Sequence, residues 1–95
     1  MVMRMFWESI PERAGEIEEY FGKEDWENYI IKVHALKSSL RIVGIMGLSD
    51  EAEALELAGK AGNYDLIREK TGRLLSEYRR YLSILALHLP LDEDE

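Results

Sequence analysis

The feature that most constrains the fold is a helical repeat of apolar residues between positions 26 and 43. They recur at steps of three or four residues: Trp26, Tyr29, Val33, Leu36, Leu40 and Val43. At about 100° per residue, these positions share one arc of an α-helix. The stretch is therefore predicted to be an amphipathic helix with one buried face.

Signals for helix ends divide the rest of the chain. A first helix is predicted near residues 10–21, because Ser9-Ile10-Pro11-Glu12 has the form of a capping box and Gly22 is a natural stop. The sequence leaves open whether residues 1–8 extend this helix or pack across an end of the bundle. The second helix is predicted to begin after Asp25 and to end at Gly44, in a positive-φ conformation.

Two more helices are predicted after this. Gly44 and Gly47 bracket a short connection, Ser49 is a candidate cap for the third helix, and Gly62 ends it. Asn63 is a candidate cap for the last helix, which Gly72 interrupts without ending.

With 95 residues, 46% of them hydrophobic, the chain can build one core. The loops between the predicted helices are short, so consecutive helices should pack antiparallel. We predict an all-α, up-down-up-down four-helix bundle in a single domain, at residues 10–89. An N-terminal extension at 1–9 and an acidic tail at 90–95 flank it.

Composition excludes several functions. The chain has no cysteine, and its two histidines are 54 positions apart with no metal-binding motif, so no metal site or bound cofactor is expected. A net charge of −7 disfavours nucleic acid binding. No apolar run approaches the roughly 20 residues of a membrane span, so no membrane insertion and a cytoplasmic location are expected. No glycine-rich phosphate loop or nucleophile elbow is present, which disfavours a self-contained enzyme.

His34 is the candidate for chemistry. It lies roughly 130° from the middle of the apolar arc, and Lys37, Ser38 and Arg41 share its face. A neutral imidazole carries a free nitrogen lone pair at physiological pH. The pattern alone fits either a nucleophile or an ordinary exposed helix residue.

The segment around His34 resembles the histidine-containing phosphotransfer (HPt) domains of two-component signalling, over about residues 10–85. The shared motif is His34-Ala35-Leu36-Lys37-Ser38-Ser39, then Gly44, Leu48-Ser49, Ala52, Leu55-Glu56 and 58–63. Ser38 stands where the family commonly has glycine, a mild departure because the side chain is still small.

The resemblance implies a role for three residues. His34 would carry a phosphoryl group on Nε2, taken from and passed to an aspartate of a receiver domain. Lys37 would place its ammonium against the transferred oxygens. Glu56, 22 residues after the histidine and on the third helix, would accept the Nδ1 proton and so fix the tautomer.

The resemblance also implies the partners. Receiver domains of response regulators would supply the acceptor aspartate and Mg²⁺, so this monomeric chain would need no cofactor of its own. The chain would be a free-standing protein or a module of a hybrid histidine kinase. Such a kinase would be either anchored in a membrane or not. The docking surface is predicted around the histidine, at Ile30, Ile31, Ala35, Ser38, Arg41 and Ile42.

Two alternatives use the same helices. One is a helical adaptor that docks signalling partners without phosphotransfer, and the other is a homodimerising kinase helix bundle. An intact set of His34, Lys37 and Glu56 favours phosphotransfer over the adaptor. A histidine helix within four helices, with no ATP-binding segment after it, disfavours the kinase bundle.

Overall fold

The computed structural model describes the backbone of residues 2–88 and the side chains of residues 8–82. That part of the chain forms four α-helices: α1 (Val2–Gly22), α2 (Trp26–Ile42), α3 (Met46–Lys60) and α4 (Tyr64–His88). Each helix packs on the next, and α4 packs back on α1, which closes the bundle. Since short turns join neighbouring helices, they run antiparallel. The predicted all-α four-helix bundle is confirmed.

The predicted buried face of α2 is also confirmed. Tyr29, Val33, Leu36 and Leu40 are fully buried, and they pack with apolar residues from the other three helices. Inside the core the Tyr29 hydroxyl shares a hydrogen bond of 2.5 Å with the hydroxyl of Thr71 on α4. This face fixes the rotation of α2, and therefore which of its residues point outward.

Several predicted helix ends are confirmed. Asp25 caps α2 by accepting a hydrogen bond from the Asn28 backbone at 3.4 Å. Asn63 does the same for Leu66 at the start of α4, at 3.3 Å. After α2, Gly44 has a φ of 86°, a conformation that glycine adopts without strain.

The capping box predicted at Ser9 does not start the first helix, because α1 begins at Val2. Residues 2–8 extend the helix, which is one of the two arrangements that the sequence left open. Pro11 consequently lies inside the helix, where it removes one backbone hydrogen bond. Residues 2–8 contain no glycine or proline, so nothing in that segment ends a helix. The predicted acidic tail at 90–95 lies outside the described residues.

The predicted cap of the third helix is also wrong. α3 starts at Met46, its N-cap residue is Ile45, and no side chain caps it. Ser49 is instead buried within the helix, where its hydroxyl donates a hydrogen bond of 3.2 Å to the Lys37 carbonyl on α2. The serine is used between helices and is therefore not available as a cap.

A glycine sets the distance between α2 and α3. A Cβ atom at Gly59 would lie 2.6 Å from Cγ1 and 2.8 Å from Cδ1 of Ile30, closer than atoms in van der Waals contact. The missing side chain lets α3 approach α2 one turn away from Glu56. Glu56 and His34 meet at this same interface between α2 and α3.

Candidate functional site

His34 projects from the face of α2 opposite to the core. Its side chain is 56% exposed, as the helical pattern predicted. Ile30 and Lys37, on the side of the histidine nearer α3, are partly buried. The imidazole is therefore open to solvent, while the part of the side chain next to the α2 backbone lies beside the third helix.

The carboxylate of Glu56 meets this imidazole from α3. His34 Nδ1 lies 2.8 Å from Glu56 Oε2, while the glutamate side chain is only 3% exposed. An ionised carboxylate only accepts hydrogen bonds, so Nδ1 carries the proton and donates it. The neutral imidazole then has its lone pair on Nε2, the ring nitrogen that makes no contact with Glu56. The two residues that the resemblance paired are in hydrogen-bond contact.

Two lysines complete the cluster around Glu56. Lys37 Nζ lies 2.8 Å from Oε1, and Lys60 Nζ lies 3.0 Å from Oε2. Burial favours the neutral carboxyl, but hydrogen bonds from Lys37, Lys60 and His34 outweigh it and lower the pKa of Glu56 to about 2. The carboxylate is therefore charged at physiological pH and acts as a fixed acceptor for the imidazole.

The family model for the Hpt domain matches residues 1–93. The chain belongs to the Hpt domain family. This family implies phosphotransfer in two-component signalling, and Hpt domains in general interact with receiver domains. No curated protein and no solved structure matches the chain.

In this Hpt domain the predicted docking residues differ in exposure. Ile31 is 56% and Ile42 74% exposed. Ser38 and Arg41 are exposed too, and Arg41 makes an ion pair of 3.4 Å with Glu53 on α3. These four residues surround His34 with an accessible surface on α2.

The other two predicted docking residues contribute less surface. Ile30 is partly buried against the core and lies over Gly59. Ala35 is partly buried and lines a cleft between α1 and α2. Both therefore lie at the edge of the accessible surface.

Sequence reasoning missed two residues at the site. Lys60 was noted only as part of the motif, yet its ammonium contacts the same oxygen as the imidazole. The signal was present, since a lysine four residues after a glutamate lies next to it on a helix. Leu57 on α3, 56% exposed, was missed as well and adds apolar surface near Glu56.

Among the side chains of residues 8–82, no group of three or more histidine, cysteine or acidic residues is placed to hold a metal ion. Between residues 2 and 88, no helix combines the length and the hydropathy that a membrane span needs.

Proposed function

We propose that this Hpt domain carries a phosphoryl group on Nε2 of His34 and passes it between the aspartates of receiver domains in a phosphorelay. The observation that carries the proposal is the 2.8 Å contact between His34 Nδ1 and the buried carboxylate of Glu56. An exposed imidazole held by its Nδ1 proton presents one nitrogen, Nε2, as the nucleophile.

The contact supports the chemical step in two ways. When Nε2 attacks the phosphorus of an aspartyl phosphate, the N–P bond forms as the O–P bond breaks, and the electron pair leaves with the aspartate oxygen. The ring becomes a cation that keeps its proton on Nδ1, and the Glu56 carboxylate stabilises that charge as it develops. The ionised carboxylate keeps the ring proton on Nδ1, so Nε2 already carries a free lone pair. No proton therefore has to be removed from Nε2 before the attack.

The remaining requirements fall to the partner. Phosphoryl transfer depends on positioning and on charge neutralisation, and we assign the acceptor aspartate and Mg²⁺ to the receiver domain. Ile31, Ser38 and Ile42 are accessible beside His34, which suits the close approach of a second protein. We expect a hybrid histidine kinase among the partners, and we expect a monomer that works in the cytoplasm.

The test is incubation with a phosphorylated receiver domain and Mg²⁺, followed by intact mass measurement. The wild type should gain one acid-labile phosphoryl group. His34→Gln should gain none, and its helicity and melting temperature should stay nearly unchanged because the side chain is exposed. His88→Gln is the matched control, since it removes the other histidine and should label like the wild type.

Two results would contradict the proposal. Labelling that survives in His34→Gln would place the phosphoryl group elsewhere. No gain in wild type from a panel of receivers would favour a helical adaptor without phosphotransfer.

A further inference from the structure

We propose that the two lysines at Glu56 have different roles. Lys37 stays paired with the carboxylate, whereas Lys60 moves away from the carboxylate and contacts the phosphoryl group on His34. This inference rests on the proposed function, because it concerns the phosphorylated imidazole. It assigns to Lys60 the phosphoryl contact that the resemblance implies for Lys37, and it assigns Lys37 as a positioning residue that acts through Glu56.

The two ammonium groups differ in burial. The Lys37 side chain is 14% exposed and contacts Oε1, the oxygen that the imidazole does not use. The Lys60 side chain is 59% exposed and contacts Oε2, the oxygen that also binds Nδ1. Both ammonium groups pair with the buried carboxylate of Glu56, but only that of Lys37 is itself mostly buried. Moving Lys37 away would leave a buried ammonium without a partner, which is costly, whereas an exposed ammonium can be solvated. Lys60 is therefore the cation that can be exchanged.

The position of Lys60 also suits the phosphoryl group. Its ammonium and the imidazole lie within 3.0 Å of the same carboxylate oxygen, so they are neighbours. The lysine is the last residue of α3, and its flexible stem leaves the head in solvent. A rotation of that stem can bring Nζ to the oxygens of a phosphoryl group on Nε2 without moving either helix.

Charge balance gives a reason for the exchange. With a neutral imidazole, one carboxylate and two ammonium groups leave one positive charge in excess. Phosphorylation at Nε2 adds a group of almost two negative charges and makes the ring a cation, so the four groups together approach neutrality. If Lys60 moves to the phosphoryl oxygens, Oε2 is left to the Nδ1 proton of the charged ring, where a charge-assisted hydrogen bond is stronger.

Other exposed lysines lack this arrangement. Lys23 forms the same kind of pair with a glutamate four residues before it, Glu19, at 2.9 Å, with both side chains more than half exposed. That pair lies at the α1–α2 turn, next to the N-terminus of α2, and involves no histidine. Lys23 is therefore a matched control for the charge change at Lys60.

The experiment measures the equilibrium of the phosphoryl group between a phosphorylated receiver and this domain, by intact mass in the presence of Mg²⁺. Lys60→Met should shift the equilibrium toward the receiver by about fivefold to tenfold, because the charged hydrogen bond from Lys60 to the phosphoryl group is lost. Lys60→Arg keeps the positive charge and should have an equilibrium close to that of the wild type. Lys23→Met should leave the equilibrium as in wild type.

A second readout separates the two lysines. In the NMR spectrum of the side-chain ammonium groups, phosphorylation should move the Lys60 signal much more than the Lys37 signal. In urea unfolding, Lys37→Met should lose more stability than Lys60→Met, because the Lys37 side chain is itself mostly buried whereas the Lys60 side chain is exposed.

The outcomes are distinguishable from failure of the proposed function. If the wild type is labelled on His34 but Lys60→Met has the same equilibrium as Lys23→Met, the assignment of Lys60 is wrong. It is also wrong if the Lys37 signal is the one that moves. If the wild type is not labelled at all, the proposed function itself fails.

Discussion

Replacement of Glu56 by glutamine should change how stability depends on pH, and the size of the effect follows from the site. The pKa of Glu56 is about 2 in the folded domain against an ordinary value of 4.5. One pKa unit corresponds to about 1.4 kcal/mol, so the ionised carboxylate contributes about 3 kcal/mol to folding at neutral pH. Because the folded pKa is the lower one, this contribution is present above pH 4.5 and is lost as the pH falls toward 2.

Glu56→Gln has no such contribution at any pH, and it leaves the 14%-exposed Lys37 without its counterion. At pH 7 the variant should therefore be less stable than the wild type by about 3 kcal/mol. As the pH falls the gap should narrow, with about 2 kcal/mol of it gone by pH 3. Carboxylates away from the site titrate alike in both proteins, so the difference reports on Glu56 and the charged groups in contact with it.

The assay is urea unfolding followed by circular dichroism at several pH values between 3 and 7. Glu19→Gln is the matched control, since it breaks an exposed pair with Lys23 and should change the stability little. Parallel stability curves for the wild type and Glu56→Gln would refute the reasoning, because they would mean that Glu56 titrates alike in the folded and unfolded chains.

Three further predictions concern single substitutions. Gly59→Ala should lower stability by about 1–2 kcal/mol in urea unfolding, because its Cβ would overlap Ile30. Adding Ile30→Ala to this variant should recover part of the loss. An unchanged stability of Gly59→Ala would contradict the close approach of α3. Glu24→Gly should raise stability by about 0.5 kcal/mol, because Glu24 has a φ of 56° and its exposed pair with Arg68 is weak; a lower melting temperature would contradict this. Glu56→Ala should slow the transfer of phosphate from a receiver while some labelling remains, and an unchanged rate would remove its orienting role.

Local sequence signals predicted the parts of the fold that local physics decides. Asp25 and Asn63 can cap a helix with their own side chains, and Gly44 adopts a positive φ more readily than any other residue. The periodicity of α2 gave its buried face, and with it the exposure of His34. These features depend on residues within a few positions of each other.

The errors came from motifs whose meaning depends on their surroundings. Pro11 follows a serine as it would at a helix start, but the chain before it is already helical. Ser49 precedes acidic residues as a cap would, but its hydroxyl is used by α2. No pattern in the sequence shows whether a polar side chain bonds to its own helix or to the next one.

The candidate site could be predicted from the sequence only in part. Glu56 was assigned from the resemblance, since the register of α3 against α2 cannot be read from either helix alone. Gly59, one turn after Glu56, leaves room for the Ile30 side chain of α2. Lys60 was predictable only as a neighbour of Glu56, because its contact near the imidazole requires the packed structure.

The most direct test of the central claim is an NMR measurement on the domain labelled with ¹⁵N in its histidine rings. The spectrum of His34 before reaction should show the proton on Nδ1. After incubation with a phosphorylated receiver domain and Mg²⁺, a phosphorus–nitrogen coupling should appear at Nε2 of His34, and Nδ1 should keep its proton. A coupling at Nδ1, a phosphoryl group on another residue, or a proton on Nε2 of the free imidazole would contradict the account.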